Sequence, residues 1–138
     1  MRILAIDPGS VNIGIAISDD TGTVAFPLKI IKHVSREIDA KIIVDIALEK
    51  NVQQIIVGCA FDDEGKMTFE GRRSNRLAGA IRKQTQIPVI IWDEYESTNQ
   101  AQSACKEMGG KRKRTQKHWD QLAATVILQS FLNQKASL

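Results

Sequence analysis

The sequence predicts an α/β fold: a five-stranded mixed sheet, made of a three-strand antiparallel meander plus two parallel strands, flanked by helices. Three observations carry this. The chain opens with three strand-like segments separated by short turns. Beyond residue 35 the pattern changes to alternating helix and strand. No repeat, low-complexity stretch or linker divides the 138 residues, so one domain over residues 1–138 is expected.

The first segment, residues 2–7, is nearly all apolar, as suits a central strand buried on both faces. Asp7-Pro8-Gly9-Ser10 breaks it. In residues 11–19, Ile13, Ile15 and Ile17 alternate with Gly14, Ala16 and Ser18, which predicts a strand returning antiparallel through a short turn. Asp20-Thr21-Gly22 is the next turn, and residues 23–31 read as a third strand. Ser35 then offers a helix N-cap, with Ile38, Ile42, Ile43, Ile46 and Ala47 at helical spacing to about residue 50.

Residues 54–59 form a short apolar strand, and residues 61–70 read as a polar loop turning at Gly65. Residues 71–84 predict a helix whose apolar positions are Leu77, Ala80 and Ile81. Pro88 introduces a strand over residues 89–92. Ser97 or Thr98 caps a short helix ending at Gly109-Gly110, a basic loop follows, and a last helix covers residues 119–133. The crossover rule makes the two later strands parallel to the first.

Composition narrows the function classes. At 43% hydrophobic and 25% charged residues the chain is an ordinary globular protein. It has no apolar run long enough to span a membrane and opens with no signal-peptide pattern, so a cytoplasmic location is expected. Cys59 and Cys105 have no CxxC partner and read as thiols in a reducing compartment. His33 and His118 lack zinc spacing, and no P-loop or GxGxxG loop occurs. The net charge of +3 is mild, but its distribution is not even. Lys111, Arg112, Lys113 and Arg114 stand in a row, and Arg72, Arg73, Arg76, Arg82 and Lys83 share one segment. Such runs are either solvated faces or a contact surface for a polyanion.

Three segments carry acids at the ends of apolar runs. Ile3, Ala5 and Asp7 share one face of the first strand, so a carboxylate ends an otherwise apolar element. An ionised carboxylate there needs a cation, a donor or water, although Asp-Pro-Gly is also a good turn sequence. Asp120 lies in angle close to Ala124, Ile127 and Phe131, at the head of the apolar stripe of the last helix. Asp93 and Glu94 end the strand Val89-Ile90-Ile91-Trp92. Adjacent strand residues point to opposite faces, so only one of the two can join a site with Asp7. Carboxylates gathered in this way suit Mg²⁺ or Mn²⁺. Two such ions about 4 Å apart can clamp the attacking and leaving oxygens of a phosphodiester displacement.

Four ordered motifs resemble the YqgF/RuvX-like family. Ile6-Asp7-Pro8-Gly9 followed by Asn12-Ile13-Gly14-Ile15-Ala16-Ile17-Ser18-Asp19 is similar to its opening D-x-G-x-x-x-x-G-x-A-x-S-D. Val57-Gly58, Gly71 and the arginine-rich helix stand where that family has its G-L-P loop and following helix. Asp93-Glu94 with Ser97-Thr98 and Ala101 resembles D-E-R-x-[ST]-T-x-x-A. Lys113-Arg114 to Trp119-Asp120-Gln121-Leu122-Ala123-Ala124 and Ile127-Leu128-Gln129 resembles its closing basic stretch, D-x-x-A-A and I-L-Q. The likeness covers nearly the whole chain. It departs at Gly58-Cys59-Ala60, which lacks the Leu-Pro, at Tyr95 in place of an arginine, at Ser97 in place of threonine, and at Trp119 in place of a smaller aliphatic residue.

The resemblance implies a ribonuclease H-like fold and a metal-dependent nuclease. The family is described as resolving Holliday junctions and, in bacteria, as maturing the 5′ end of the 16S ribosomal RNA precursor. It implies Asp7, Asp120 and one acid of the Asp93-Glu94 pair as metal ligands and catalytic residues, with Glu94 chosen and Asp93 as substitute, and Mg²⁺ or Mn²⁺ as the cofactor. Arg72, Arg73, Arg76, Lys111, Arg112, Lys113 and Arg114 are then the residues expected to hold the backbone of structured RNA or branched DNA. A homodimer follows by analogy with junction resolvases. The alternative is a non-catalytic nucleic-acid-binding module of the same fold, which the missing arginine at Tyr95 keeps open.

Overall fold

Six residues from Ile3 to Pro8 form β1, the middle strand of the sheet, and its first four side chains are sealed on both sides. The computed structural model describes residues 1–93 and 116–136, with the backbone alone for residues 116–121. β2 (Asn12–Ser18) returns antiparallel to β1, with Asp7 opposite Gly14. β3 (Ala25–Lys32) pairs antiparallel with β2. β4 (Gln54–Cys59) and β5 (Val89–Asp93) add in parallel on the other side. The order is β3-β2-β1-β4-β5, the mixed five-stranded sheet expected from the sequence.

The tight turn between β1 and β2 depends on Gly9, where a Cβ would lie 2.2 Å from the Asn12 carbonyl oxygen. β3 begins two residues later than the sequence suggests. The Asp19 carboxylate takes the Thr23 and Val24 amides at 2.8 and 3.1 Å, so those donors serve the turn and not a strand. Pro27 sits in β3, at the sheet edge, where a missing amide costs no ladder bond.

Strand alternation sorts the side chains into two layers. Leu4, Ile6, Ile13, Ile15, Ile55, Val57 and Val89 meet α1 (Arg36–Glu49) and α2 (Phe69–Gln84) on one face. Ile3, Ala5, Ala16 and Ile56 meet Ala124, Ile127, Leu128 and Leu132 of α3 (Gln116–Ala136) on the other. No described helix is long and apolar enough to cross a membrane.

The helix caps follow local chemistry. Ser35 accepts the Ile38 amide at 3.3 Å, as its sequence position suggests. α2 starts at Phe69, ahead of the expected Gly71, because Thr68 caps it through the Gly71 amide at 3.1 Å. Each cap stabilises its helix by about 1 kcal/mol. The inward stripe of α1 is rotated from the expected one. Asp39, Ala40, Ile43, Val44 and Ala47 are buried, while Ile38 is 47% exposed. The reason is polar: the Asp39 carboxylate turns inward to take the Val34 amide at 3.0 Å and the His33 ring nitrogen at 2.5 Å. The short helix expected after Ser97 or Thr98, the basic loop and Cys105 lie outside the described residues.

Candidate functional site

β1, β4 and β5 are parallel, so their C-terminal ends open on one edge of the sheet, the usual place for a ligand in α/β architectures. Asp7 stands at that edge, half-buried. Its parity is that of Ile3 and Ala5, which pack against α3. The carboxylate position therefore belongs to the face that α3 covers.

Asp93 ends β5 at the same edge but with the parity of Val89 and Ile91, which pack toward α1 and α2. It lines a cleft with Phe61, Asp62, Asp63, Gly65 and Ile91, on the side away from Asp7. Ile90 and Trp92 have the other parity and lie in the α3 layer, where Trp92 meets Phe131 edge-on with ring centroids 5.2 Å apart. Trp92 is thus a core residue. Glu94 lies outside the described residues.

Asp120 is in the N-terminal part of α3, one turn before the fully buried Ala124. Its side chain lies outside the description, but its helix is the one that covers the Asp7 face. Among the described residues no three His, Cys, Asp or Glu side chains come together around a cation position. Asp7 alone of the three chosen acids is described with its side chain. An all-carboxylate donor set at a strand end nevertheless fits a hard divalent cation, and Asp7 meets that test by type and place.

The arginines of α2 separate. Arg72 bends back, donating to the Met67 carbonyl at 3.2 Å with its guanidinium 6.0 Å from the centre of the Phe69 ring. Arg76 is exposed. Arg73 lines a cavity with Pro8, Gly9, Ile13, His33, Ser35, Arg36, Asp39 and Leu77. Arg82 has a structural task, holding the Val89 carbonyl through Nε and Nη2 at 3.2 and 2.8 Å. Lys111, Arg112, Lys113 and Arg114 lie outside the described residues. Cys59 is buried, takes part in no disulfide, and directs its Sγ to the Gly71 carbonyl at 3.1 Å.

Sequence reasoning missed the His33–Asp39 pair. Its signal was present: Asp39 sits one turn before Ile43 on the apolar side of α1, the relation that singled out Asp120. It also missed Gln129, which ties α3 to the start of β3.

The family model described as "RuvX: Holliday junction resolvase" matches residues 1–134. A Desulforudis audaxviator protein named "Putative pre-16S rRNA nuclease" is 31% identical over 137 residues, covering 99% of this chain and 97% of its own. A protein of the same name from Thermoanaerobacter pseudethanolicus is 37% identical over 134 residues, covering 96% of each chain. Among solved structures, Thermus thermophilus RuvC in complex with a Holliday junction superposes with a TM-score of 0.63 at 13% identity, covering 99% of this chain and 96% of that one. The fowlpox virus resolvase bound to junction DNA gives 0.56 at 15% identity, with 98% and 99% covered. These two likenesses concern the fold, which is thereby ribonuclease H-like.

Proposed function

This chain belongs to the RuvX family, and from that premise we propose that it is a divalent-metal-dependent endonuclease cutting phosphodiester bonds in structured nucleic acid. The relatives' names favour the precursor of 16S ribosomal RNA as substrate, and the family description favours the four-way DNA junction. The observation that carries the reading is that Asp7 closes the central strand on the face covered by the helix that bears Asp120. Carboxylates far apart in sequence are useful on one face only if they share a charge of opposite sign, since together they would otherwise repel.

Asp7, Glu94 and Asp120 are the residues that would hold Mg²⁺ or Mn²⁺. The parity of β5 argues for Glu94 over Asp93, because Asp93 is turned toward the α1–α2 side. The ion supplies Lewis-acid activation and neutralises charge on the phosphodiester. The protein's own share is positioning. The β1 backbone, locked between β2 and β4, fixes the Asp7 carboxylate, and Arg72, Arg73, Arg76 and Lys111 to Arg114 neutralise backbone phosphates. The whole chain acts as one catalytic unit in the cytoplasm, and cutting a symmetric junction would use two copies.

Incubation of the purified chain with a 16S precursor fragment and with a four-way junction, each with Mg²⁺ or with EDTA, tests this. Cleavage of one of them only with metal is expected, with none from Asp7→Asn at unchanged thermal stability. Equal cutting by Asp7→Asn overturns the role of that acid. The substitution of Tyr95 for the family arginine favours one second reading, a binding module without turnover. Tight binding of both substrates and cleavage of neither would support it.

A further inference from the structure

At the same sheet edge, but on the face opposite the Asp7 carboxylate, lies a cavity of about 220 Å³. Its lining is apolar at Ile13 and Leu77 and carries Arg36 from the start of α1, Arg73 from α2 and His33, the residue after β3. Among the described residues no carboxylate pairs with either guanidinium. Two cations left unneutralised around one concavity make a positive site. The single carboxylate in the lining, Asp39, is only 2% exposed and is engaged elsewhere: it accepts from the Val34 amide and from Nδ1 of His33.

That engagement has a consequence for the histidine. An ionised carboxylate only accepts, so Nδ1 must donate to it, and it is the doubly protonated ring, with Nε2–H as its second donor, that can hold an anion at this place. The imidazole is 35% exposed, so it is accessible while its partner is not. Pro8 and Gly9, next to Asp7 in the chain, form one wall of the cavity. The cavity therefore adjoins, around the sheet edge, the strand end that carries Asp7.

We propose that Arg36, Arg73 and His33, the last positioned by Asp39, form a phosphate-binding subsite that holds a backbone phosphate of the nucleic acid away from the bond that is cut. This rests on the nuclease reading for its ligand class, but its test is independent of catalysis. It gives Arg73 a task distinct from those of Arg72 and Arg76, and it adds two residues, Arg36 and His33, that the sequence motifs do not single out.

The test is equilibrium binding, read by fluorescence anisotropy, in the uncut background of Asp7→Asn. The probes are a hairpin RNA and a four-way DNA junction in which one neutral methylphosphonate linkage is moved along the strand. With the unmodified probe, Arg36→Ala, Arg73→Ala and His33→Ala are each expected to weaken binding about 3- to 10-fold. Each arginine change should also lower the slope of log K against log salt by about 0.7 to 0.9. One linkage position should lose affinity in the Asp7→Asn background and lose nothing further once Arg73→Ala or Arg36→Ala is added. Lys135→Ala, an equal loss of charge, should stay additive at every position. Arg36 is exposed and Arg73 half-buried, so their removal leaves the core intact, whereas His33→Ala also withdraws a partner from the buried Asp39 and is read together with its Tm. Binding with strictly additive effects at all positions overturns the subsite while leaving the nuclease reading in place. A chain that binds neither probe overturns both. Absence of cleavage in the wild type, with the linkage-specific effect retained, overturns only the catalytic reading.

Discussion

Gln129 holds Ala25. Its side-chain oxygen accepts the Ala25 amide at 3.0 Å, while its nitrogen donates to the Thr23 carbonyl at 3.1 Å. One residue of α3 thus completes the backbone at the start of β3 and fixes where the helix sits on the sheet. Since α3 also carries Asp120, this clasp bears on the site as well as on stability. Gln129→Ala should lower stability by about 1 kcal/mol, the cost of leaving the partly buried Ala25 amide without its acceptor. Denaturant midpoints measure that. Gln129→Glu keeps one oxygen acceptor and should recover part of the loss.

The two acids that end β5 should behave oppositely. Asp93 has the parity of the α1–α2 layer, so Asp93→Asn should leave metal-dependent cleavage within a few-fold of wild type. Glu94→Gln should reduce it by at least about 100-fold, the scale on which loss of one charged contributor to a transition state is felt. Single-turnover rates at saturating metal compare the two. A larger loss from Asp93→Asn would reverse the ligand assignment.

Gly71 is a packing requirement. A Cβ at this position would come within 2.1 Å of the Ala60 carbonyl oxygen and 3.3 Å of the Cys59 sulfur. The first turn of α2 therefore lies flush against the end of β4. Gly71→Ala should cost about 1–3 kcal/mol through forced backbone shifts, seen as a lower Tm. Gly79→Ala, where a Cβ meets nothing within 4 Å, should leave Tm unchanged or raised.

Asp19 should give the fold an acid-sensitive element. The Thr21 hydroxyl first, then the Thr23 and Val24 amides, hold its carboxyl down from an ordinary value of 3.8 to about 2. A depressed folded value means stabilisation that is fully present above about 3.8 and is lost as pH falls toward about 2. The Tm difference between wild type and Asp19→Asn should therefore shrink across that interval and be constant at neutral pH.

Much of this was legible in the sequence because it depends on local periodicity. An apolar run marked β1, alternation marked β2, the break at Asp7-Pro8-Gly9-Ser10 marked the turn, and β4 was read to its observed ends. Placing Asp7 at the end of an apolar strand face needed only the repeat of a strand. Element starts were less legible where a threonine cap or a turn carboxylate competes for amides, as at Thr68 before α2 and Asp19 before β3.

By itself, the sequence determined the order of elements, the sheet they build and the place of Asp7 at the end of an apolar strand, since each of these is set by residues near one another in the chain. Only the tertiary structure decided that Asp93 and Asp7 stand on opposite faces, that Arg73 parts from Arg72, and that His33 with Asp39 borders a cavity beside β1. Those relations depend on which layer packs on which face and on one buried carboxylate rotating α1. They arise from contacts between segments far apart in sequence, and no single segment's pattern contains them.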